Sequence, residues 1–158
     1  MIFHNAPQGS DAWLAARAGV LTASVFADAI AVLTKASGNK KAGDPTAAAD
    51  ESCAIVAVER VSGVPYRSQI DTRATREGHE QEPELRFAYE AKTGHFVTEC
   101  GLITTDDGRF GYSSDGLVGT DGLIEGKTLT TAKRLIEFLA DPHSFIDEYR
   151  MQCLGGLW

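Results

Sequence analysis

The chain has 158 residues, a length that suits one domain and is sufficient to bury a core without disulfides or a structural metal. Its 43% hydrophobic and 23% charged residues are typical of a soluble globular protein, and no apolar run approaches the roughly 18 residues of a membrane span. The net charge of -7 argues against a protein that coats nucleic acid nonspecifically, because phosphate binding needs clustered Lys and Arg. It does not exclude a nuclease, since net charge describes solubility rather than the lining of a cleft.

The three cysteines, Cys53, Cys100 and Cys153, are far apart in the sequence. Their odd number and wide spacing favour neither a disulfide framework nor a metal knuckle. The N-terminal sequence MIFHNAPQGSDAW lacks the basic and apolar regions of a signal peptide. We therefore expect a cytoplasmic protein whose cysteines are reduced, buried and apolar in character.

Helix signals come first along the chain. A helix is predicted over residues 8–19, where a Ser-Asp pair can cap the N-terminus and a glycine ends the pattern. Trp13 within it is interpreted as a core residue rather than a platform for base stacking. A second helix is predicted in the sequence VLTASVFADAIAVL, with Thr22 or Ser24 near its N-terminus.

Two longer helices are predicted after a loop. Residues 35–45 contain Gly, Asn and Pro without periodicity, which predicts a mobile surface loop. Helices are expected at about 46–62, ended by Gly63, and at 75–93, ended by Gly94.

Residues 95–128 change to an alternating apolar pattern with DDG and TDG turns, which favour hairpins. Strands are predicted at about 95–104, 110–118 and 122–128. A short helix in TAKRLIEFL and a last helix from SFIDEYRMQ follow them. Helices, a β-meander and further helices together predict one α+β domain over residues 1–158.

Two carboxylates and a lysine are concentrated in this part of the chain, in the sequence YSSDGLVGTDGLIEGKTLTT. Glu125 and Lys127 are two residues apart, so a strand places both on one face, and a hairpin brings Asp115 beside Glu125. Such a face can hold Mg²⁺ through two carboxylates, while the lysine orients or deprotonates a water or stabilises charge on phosphorus. The alternative is a solvated salt-bridge cluster on an exposed hairpin.

The spacing of Asp115, Glu125 and Lys127 resembles the core motif of the PD-(D/E)xK nucleases. Four longer blocks resemble, in the right order, those of the phage lambda exonuclease family, also called YqaJ-type viral recombinases. The blocks are DAWLAARAGVLTAS at 11–24, GHEQEPELRFAYEAKTG at 78–94, GYSSDGLV at 111–118 and GLIEGK at 122–127. They span most of the chain, and the resemblance implies a restriction-endonuclease-like core in which helices flank a central mixed β-sheet.

The resemblance also implies a metal site and a catalytic lysine. Asp115 and Glu125 match the metal-binding carboxylates of the family, and the backbone carbonyl of Gly126 would be a third ligand. Lys127 matches the catalytic lysine.

Further residues match motif positions around that site. Glu82 matches a glutamate that supports the metal site, and its choice over the neighbouring Glu80 and Glu84 rests on the block alone. Arg17 and Ser24 match residues that contact the 5′-phosphate of the shortened strand. Ser113 is another candidate phosphate contact, and Gln152 matches a motif glutamine near the active site. Without the resemblance, Ser24 would be read as a helix cap, and the arginine and glutamine as polar helix positions.

The function implied is 5′ to 3′ exonuclease action on double-stranded DNA, in which a metal-activated water hydrolyses the phosphodiester. Mg²⁺ is the implied cofactor, with Mn²⁺ as a substitute. A homotrimer ring around a DNA end, processive digestion and a single-strand annealing protein as partner are also implied. The setting would be phage-type homologous recombination in the cytoplasm of a bacterial host cell, without a membrane.

Two alternatives remain open at this point. One is a structure- or sequence-selective endonuclease on the same core. The other is a non-catalytic DNA-binding relative, against which the acidic composition counts, since a pure binder needs more basic surface.

The chain departs from the family pattern at a few positions. Gly126 stands where a bulky apolar residue is usual, and a glycine there is expected to loosen its neighbours. Ser114 stands where proline is common, and Leu154 and Gly156 replace polar or aromatic residues. The family usually continues beyond the position of Trp158, so we expect a domain truncated at its C-terminus.

Overall fold

The computed structural model of the chain describes residues 1–66 and 73–157. The helices of this part are α1 (Asp11–Arg17), α2 (Phe26–Ala29), α3 (Ala47–Ser62), α4 (Arg73–Thr93), α5 (Ala132–Ala140), α6 (Pro142–Glu148) and α7 (Arg150–Leu154), with a 3₁₀ turn at Ala23–Val25. The strands are β1 (Ile2–His4), β2 (Leu21–Thr22), β3 (Val97–Thr98), β4 (Leu102–Thr104), β5 (Phe110–Tyr112), β6 (Gly116–Val118) and β7 (Gly122–Ile124).

The strands form two sheets. The first has the order β1-β4-β5-β2 and is mixed, because β2 runs parallel to β5 while the other pairs are antiparallel. The second has the antiparallel order β3-β6-β7. The best-buried apolar residues include Leu102 and Tyr112 of the first sheet and Val20 and Ala23 beside β2. Helices around a mixed sheet confirm the predicted α+β class.

The turn from α1 into β2 is fixed by the third helix. Ser10 caps α1 by accepting a hydrogen bond from the backbone N–H of Trp13. Gly19 then has a φ of +76°, and a Cβ on it would lie only 2.7 Å from Cγ of Arg60. The Gly19 N–H donates to the buried carboxylate of Glu59 at 2.8 Å, and Arg60 Nε donates to the Gly19 carbonyl at 2.7 Å. These contacts lock the segment that carries Arg17 and Ser24.

The longer helix predictions agree with the structure. Gly63 and Gly94 adopt positive φ angles of 66° and 73° after α3 and α4. The predicted second helix is wrong in its extent: only the 3₁₀ turn and the four-residue α2 form. The chain then becomes extended, and Val32 pairs with Pro45 in an isolated β-bridge. Residues 35–45 are irregular, and their mobility stays a prediction.

The strand predictions are wrong in their bounds. The range 95–104 divides into β3 and β4, which belong to different sheets, and the range 110–118 is interrupted at residues 113–115. The buried Ser114 causes that interruption, because its Oγ accepts from the Gly116 N–H at 3.0 Å and donates to the Gly116 carbonyl at 2.6 Å. Such local bonds replace ladder bonds, and a proline could not make them.

The structure also bears on two smaller expectations, which concern the cysteines and membrane-spanning helices. The cysteines are not buried: Cys53 is exposed, while Cys100 and Cys153 are half-buried free thiols. Among the described residues, no helix combines the length and apolar character needed to cross a bilayer.

Candidate active site

One open cleft of about 560 Å³ receives side chains from α1, α4, the β6–β7 hairpin and α7. All of the site residues predicted from the sequence line it: Arg17, Ser24, Glu82, Ser113, Asp115, Glu125, Gly126, Lys127 and Gln152. The structure therefore brings together residues that lie up to 135 positions apart in the chain (17 to 152). Their chemical roles stay predictions.

The β6–β7 hairpin places the two central carboxylates side by side. Gly119, with a φ of +63°, begins the three-residue turn, and Gly116 pairs with Ile124 at the other end of the hairpin. Asp115 and Glu125 are the next residues outward on each side. Glu125 and Lys127 were wrongly predicted to lie on the strand, since β7 ends at Ile124. The hairpin register places Asp115 beside Glu125, whereas Glu125 and Lys127 do not lie on a common strand face.

Glu125 is held by donors from three parts of the chain. Its side chain is only 7% exposed. Oε1 accepts from Nζ of Lys127 at 2.6 Å and from Nε2 of Gln152 at 2.5 Å. Oε2 accepts from the phenol of Tyr112 at 2.6 Å. Charge-assisted hydrogen bonds of this length fix the orientation of the carboxylate.

Lys127 is held in place as firmly. Besides Glu125, its ammonium donates to Oε1 of Gln152 at 3.2 Å. It also lies 4.8 Å from the ring centroid of Tyr149, within the range of a cation–π interaction. Gln152 thus bridges lysine and glutamate, accepting from one and donating to the other.

Asp115 lies in an unfavourable electrostatic environment. Burial, together with the charges of Glu125 and Glu82, raises the pKa of Asp115 to about 6, and the hydrogen bond from the Gly126 N–H opposes this shift. That N–H lies 2.6 Å from Oδ2 of Asp115. A carboxylate whose charged form is disfavoured by burial and by neighbouring acidic groups favours the binding of a cation.

Helix α4 supplies the third acidic side chain. Glu82 lines the cleft, whereas Glu80 and Glu84 are exposed, and the role of Glu82 stays a prediction. Arg86 lies 3.8 Å from Glu82 and donates to the backbone carbonyl of Asp115 at 3.2 Å. Arg86 therefore ties α4 to the hairpin.

Gly126 allows α4 to come close to the hairpin. A Cβ on Gly126 would lie 2.9 Å from Cδ1 of Leu85. The space of the usual bulky residue is thus occupied by a leucine from the helix. The loosening expected from this glycine is offset, since hydrogen bonds hold Glu125 and Lys127 on either side of it.

Another part of the cleft wall, formed by Arg17, Thr22 and Ser24, carries an arginine and two hydroxyls. Arg17 donates to Oγ1 of Thr22 at 3.0 Å, and that hydroxyl lies 3.3 Å from Oγ of Ser24. Burial lowers the pKa of Arg17, an effect opposed by the nearby Glu59, and guanidinium remains charged throughout the physiological range. No side-chain cap is formed by Thr22 at the 3₁₀ turn. A fixed cation with adjacent hydroxyls suits a phosphate group.

Trp13 was wrongly interpreted as a core residue. It lines the cleft, its Nε1 donates to Oγ of Ser113 at 3.2 Å, and the Arg17 guanidinium lies 5.5 Å from its ring centroid. The indole therefore joins α1 to the bend that precedes Asp115.

Sequence reasoning missed other residues that contact the site. Arg86 is four residues after Glu82 on α4, a spacing that places the pair on one helix face and could have indicated it. Tyr149 lies in the turn between α6 and α7, where no helix periodicity could have indicated it. Tyr112 had no such signal, because its contact with Glu125 depends on how β5 and β7 are placed.

The donor set fits a hard divalent cation. No three acidic, histidine or cysteine side chains converge on a preformed metal position within the ranges that the structure describes. Two carboxylates and a backbone carbonyl are available instead, and Mg²⁺ suits such a set because it keeps several waters.

Comparison with known proteins gives consistent results. The YqaJ-like viral recombinase domain matches residues 12–158. The fold is similar to the crystal structure of an alkaline exonuclease, LHK-Exo, from Laribacter hongkongensis, with a TM-score of 0.68, 33% identity, and coverage of 90% of this chain and 66% of that one. The structure of LHK-Exo in complex with dAMP gives a TM-score of 0.66 and 35% identity, covering 90% and 67%. No curated protein sequence matches the chain significantly.

Proposed function

Because the chain belongs to the YqaJ-like viral recombinase domain family, we propose that it is a divalent-metal-dependent deoxyribonuclease that digests double-stranded DNA from its ends. The observation that carries the proposal is the cleft itself. It combines the Asp115, Glu125 and Lys127 cluster with the Arg17 and Ser24 wall, as expected for cleavage close to a terminal phosphate. The fold agrees with the predicted nuclease class, since the similar solved protein is an exonuclease.

Asp115, Glu125 and the carbonyl of Gly126 would hold Mg²⁺, or Mn²⁺ in its place. When bound, such a cation polarises phosphoryl oxygens and lowers the pKa of water. Lys127 carries positive charge beside the scissile phosphate or orients the attacking water. Gln152 keeps the lysine and Glu125 in fixed relation, and Glu82 supports the acidic cluster.

Arg17, Ser24 and Ser113 would hold the terminal 5′-phosphate of the strand being shortened. A phosphate held there would have its next phosphodiester directed towards the carboxylates, and digestion would then proceed from 5′ to 3′. The complex of LHK-Exo with dAMP supports the release of mononucleotides, because a deoxynucleoside monophosphate is the product class of exonucleases of either polarity.

The family also suggests how the protein is assembled and which partners it works with. We include in the proposal a single nuclease domain over residues 1–158, a homotrimer ring around a DNA end, processive digestion, and a single-strand annealing partner in recombination. The location would be the cytoplasm of a bacterial host cell. This chain spans 66% of the length of LHK-Exo, so each of these properties needs its own measurement.

The test uses a linear duplex with one 5′-phosphorylated end and one 5′-hydroxyl end, in Mg²⁺ and in EDTA. Mononucleotides should appear from the phosphorylated strand in Mg²⁺ only. A covalently closed circular duplex distinguishes the endonuclease alternative, because only an endonuclease cuts DNA without ends. DNA binding without cleavage in Mg²⁺ would indicate the non-catalytic relative.

A further inference from the structure

We propose that Tyr112 is a positioning residue that selects and fixes the cation-binding oxygen of Glu125. The inference rests on the proposed function, since it concerns the same carboxylate. Tyr112 contacts neither of the other predicted ligands by a hydrogen bond in the described part of the chain, so its effect would pass through Glu125.

The first step is a count of acceptor capacity. A carboxylate offers about four lone pairs, two on each oxygen. Oε1 of Glu125 already accepts from Lys127 and from Gln152. Oε2 accepts from Tyr112 alone among the described residues. Oε2 is therefore the oxygen with capacity for a cation, and the phenol is the donor that sets its direction.

The second step concerns the rigidity of the phenol. Tyr112 is 4% exposed, although it lies at the end of a strand beside an open cleft. The C-terminal segment packs directly on its ring: a Cβ on Gly156 would lie 2.6 Å from Cε1 and 2.8 Å from Cδ1 of Tyr112. A ring confined in this way holds its hydroxyl at one position.

The third step is the consequence for cation binding. Without the hydroxyl, Oε2 loses its fixed donor, while Lys127 and Gln152 still hold Oε1. The carboxylate can then rotate, because Oε1 is still held while Oε2 is no longer fixed in direction. Outer contacts of this kind typically change metal affinity by about 10- to 100-fold.

The experiment compares Tyr112→Phe with the wild-type protein and with Tyr66→Phe, which removes the hydroxyl of a tyrosine that is 55% exposed. Mn²⁺ binding is measured by isothermal titration calorimetry without DNA. We expect about 10- to 100-fold weaker binding in Tyr112→Phe and an unchanged constant in the control. Nuclease activity of Tyr112→Phe should recover at high Mn²⁺, because the defect is in cation affinity.

Two results would overturn the inference. Mn²⁺ affinity of Tyr112→Phe within twofold of the wild type, in a protein that cleaves DNA normally, would contradict the role of Tyr112 and leave the proposed function intact. Absence of Mn²⁺ binding by the wild-type protein would contradict both the role of Tyr112 and the proposed function. Should the variant fail to fold, ¹⁹F NMR of the protein with 3-fluorotyrosine at position 112 replaces it: Mg²⁺ should shift that resonance, and no shift would contradict the inference.

Discussion

Gly126→Leu places the bulky residue usual in the family between Glu125 and Lys127, and the structure predicts that this chain no longer has room for it. Even a Cβ at that position would lie 2.9 Å from Cδ1 of Leu85 and 3.5 Å from Oδ2 of Asp115. A whole leucine must therefore displace the Leu85 side chain from the space it occupies. The same change should be tolerated if the helix residue is made small.

The magnitudes follow from the packing. Overpacking of this kind costs typically about 1–3 kcal/mol, and the reduced freedom of the unfolded chain returns about 0.4–1 kcal/mol when a glycine is replaced. We expect Gly126→Leu to lower the unfolding free energy by about 1–2 kcal/mol. Leu85 is 36% exposed, so Leu85→Ala should cost about 1–2 kcal/mol rather than the value for a full core position. In the Leu85→Ala background, the leucine at 126 should fill the vacated space and cost less than about 0.5 kcal/mol.

The assay is a double-mutant cycle by urea unfolding in EDTA, so that cation binding does not contribute. We expect a favourable coupling energy of about 1–2 kcal/mol between the two positions. If Gly126→Leu costs the same with and without Leu85, the two side chains do not compete for one space. The account of how this glycine is accommodated would then be wrong.

Three further predictions concern the cleft. Tyr149→Leu should lower the rate of DNA digestion about 2- to 5-fold by removing a cation–π contact worth about 0.5–1 kcal/mol to Lys127, whereas Tyr149→Phe keeps the ring and should stay near the wild-type rate. Because the pKa of Asp115 is raised to about 6, its contribution to stability is present below about pH 4 and is lost as pH rises through 6. Urea unfolding in EDTA should therefore show that the unfolding free energy of Asp115→Asn, relative to that of the wild type, rises by on the order of 1 kcal/mol between pH 4.5 and 7.5, after allowance for partial exposure. The control Asp121→Asn, at an exposed position, should show no such trend. Arg17→Gln should reduce the preference for 5′-phosphorylated over 5′-hydroxyl ends in paired digestions, and equal preference in variant and wild type would contradict its phosphate contact.

Local signals in the sequence predicted the parts of the fold that local chemistry determines. Gly63 and Gly94 end α3 and α4 as predicted, because a glycine at a helix end adopts the left-handed conformation at little cost. Strand bounds were not predictable in the same way. The bonds from the Ser114 hydroxyl to its neighbours compete with the ladder, and their outcome depends on burial that the sequence does not state.

For the candidate site as well, contacts between residues close in the chain were predictable, and contacts between separate elements were not. Asp115, Glu125 and Lys127 are close in the chain, so spacing and a turn were sufficient to bring them together. The contacts of Tyr112 with Glu125 and of Tyr149 with Lys127 join separate elements, and neither helix nor strand periodicity encodes them. The family resemblance supplied the distant members of the cleft, although it could not show what replaces the missing side chain at Gly126.

The most direct test of the central claim is the rate of mononucleotide release from a 5′-phosphorylated linear duplex in Mg²⁺, for the wild type, Lys127→Ala and Lys133→Ala. Lys133 is 84% exposed on α5 and serves as the matched loss of a lysine. The account predicts release that EDTA abolishes, a rate about 10²- to 10⁴-fold lower in Lys127→Ala, and an unchanged rate in Lys133→Ala. Equal rates in all three proteins would contradict the assignment of this cleft as the active site.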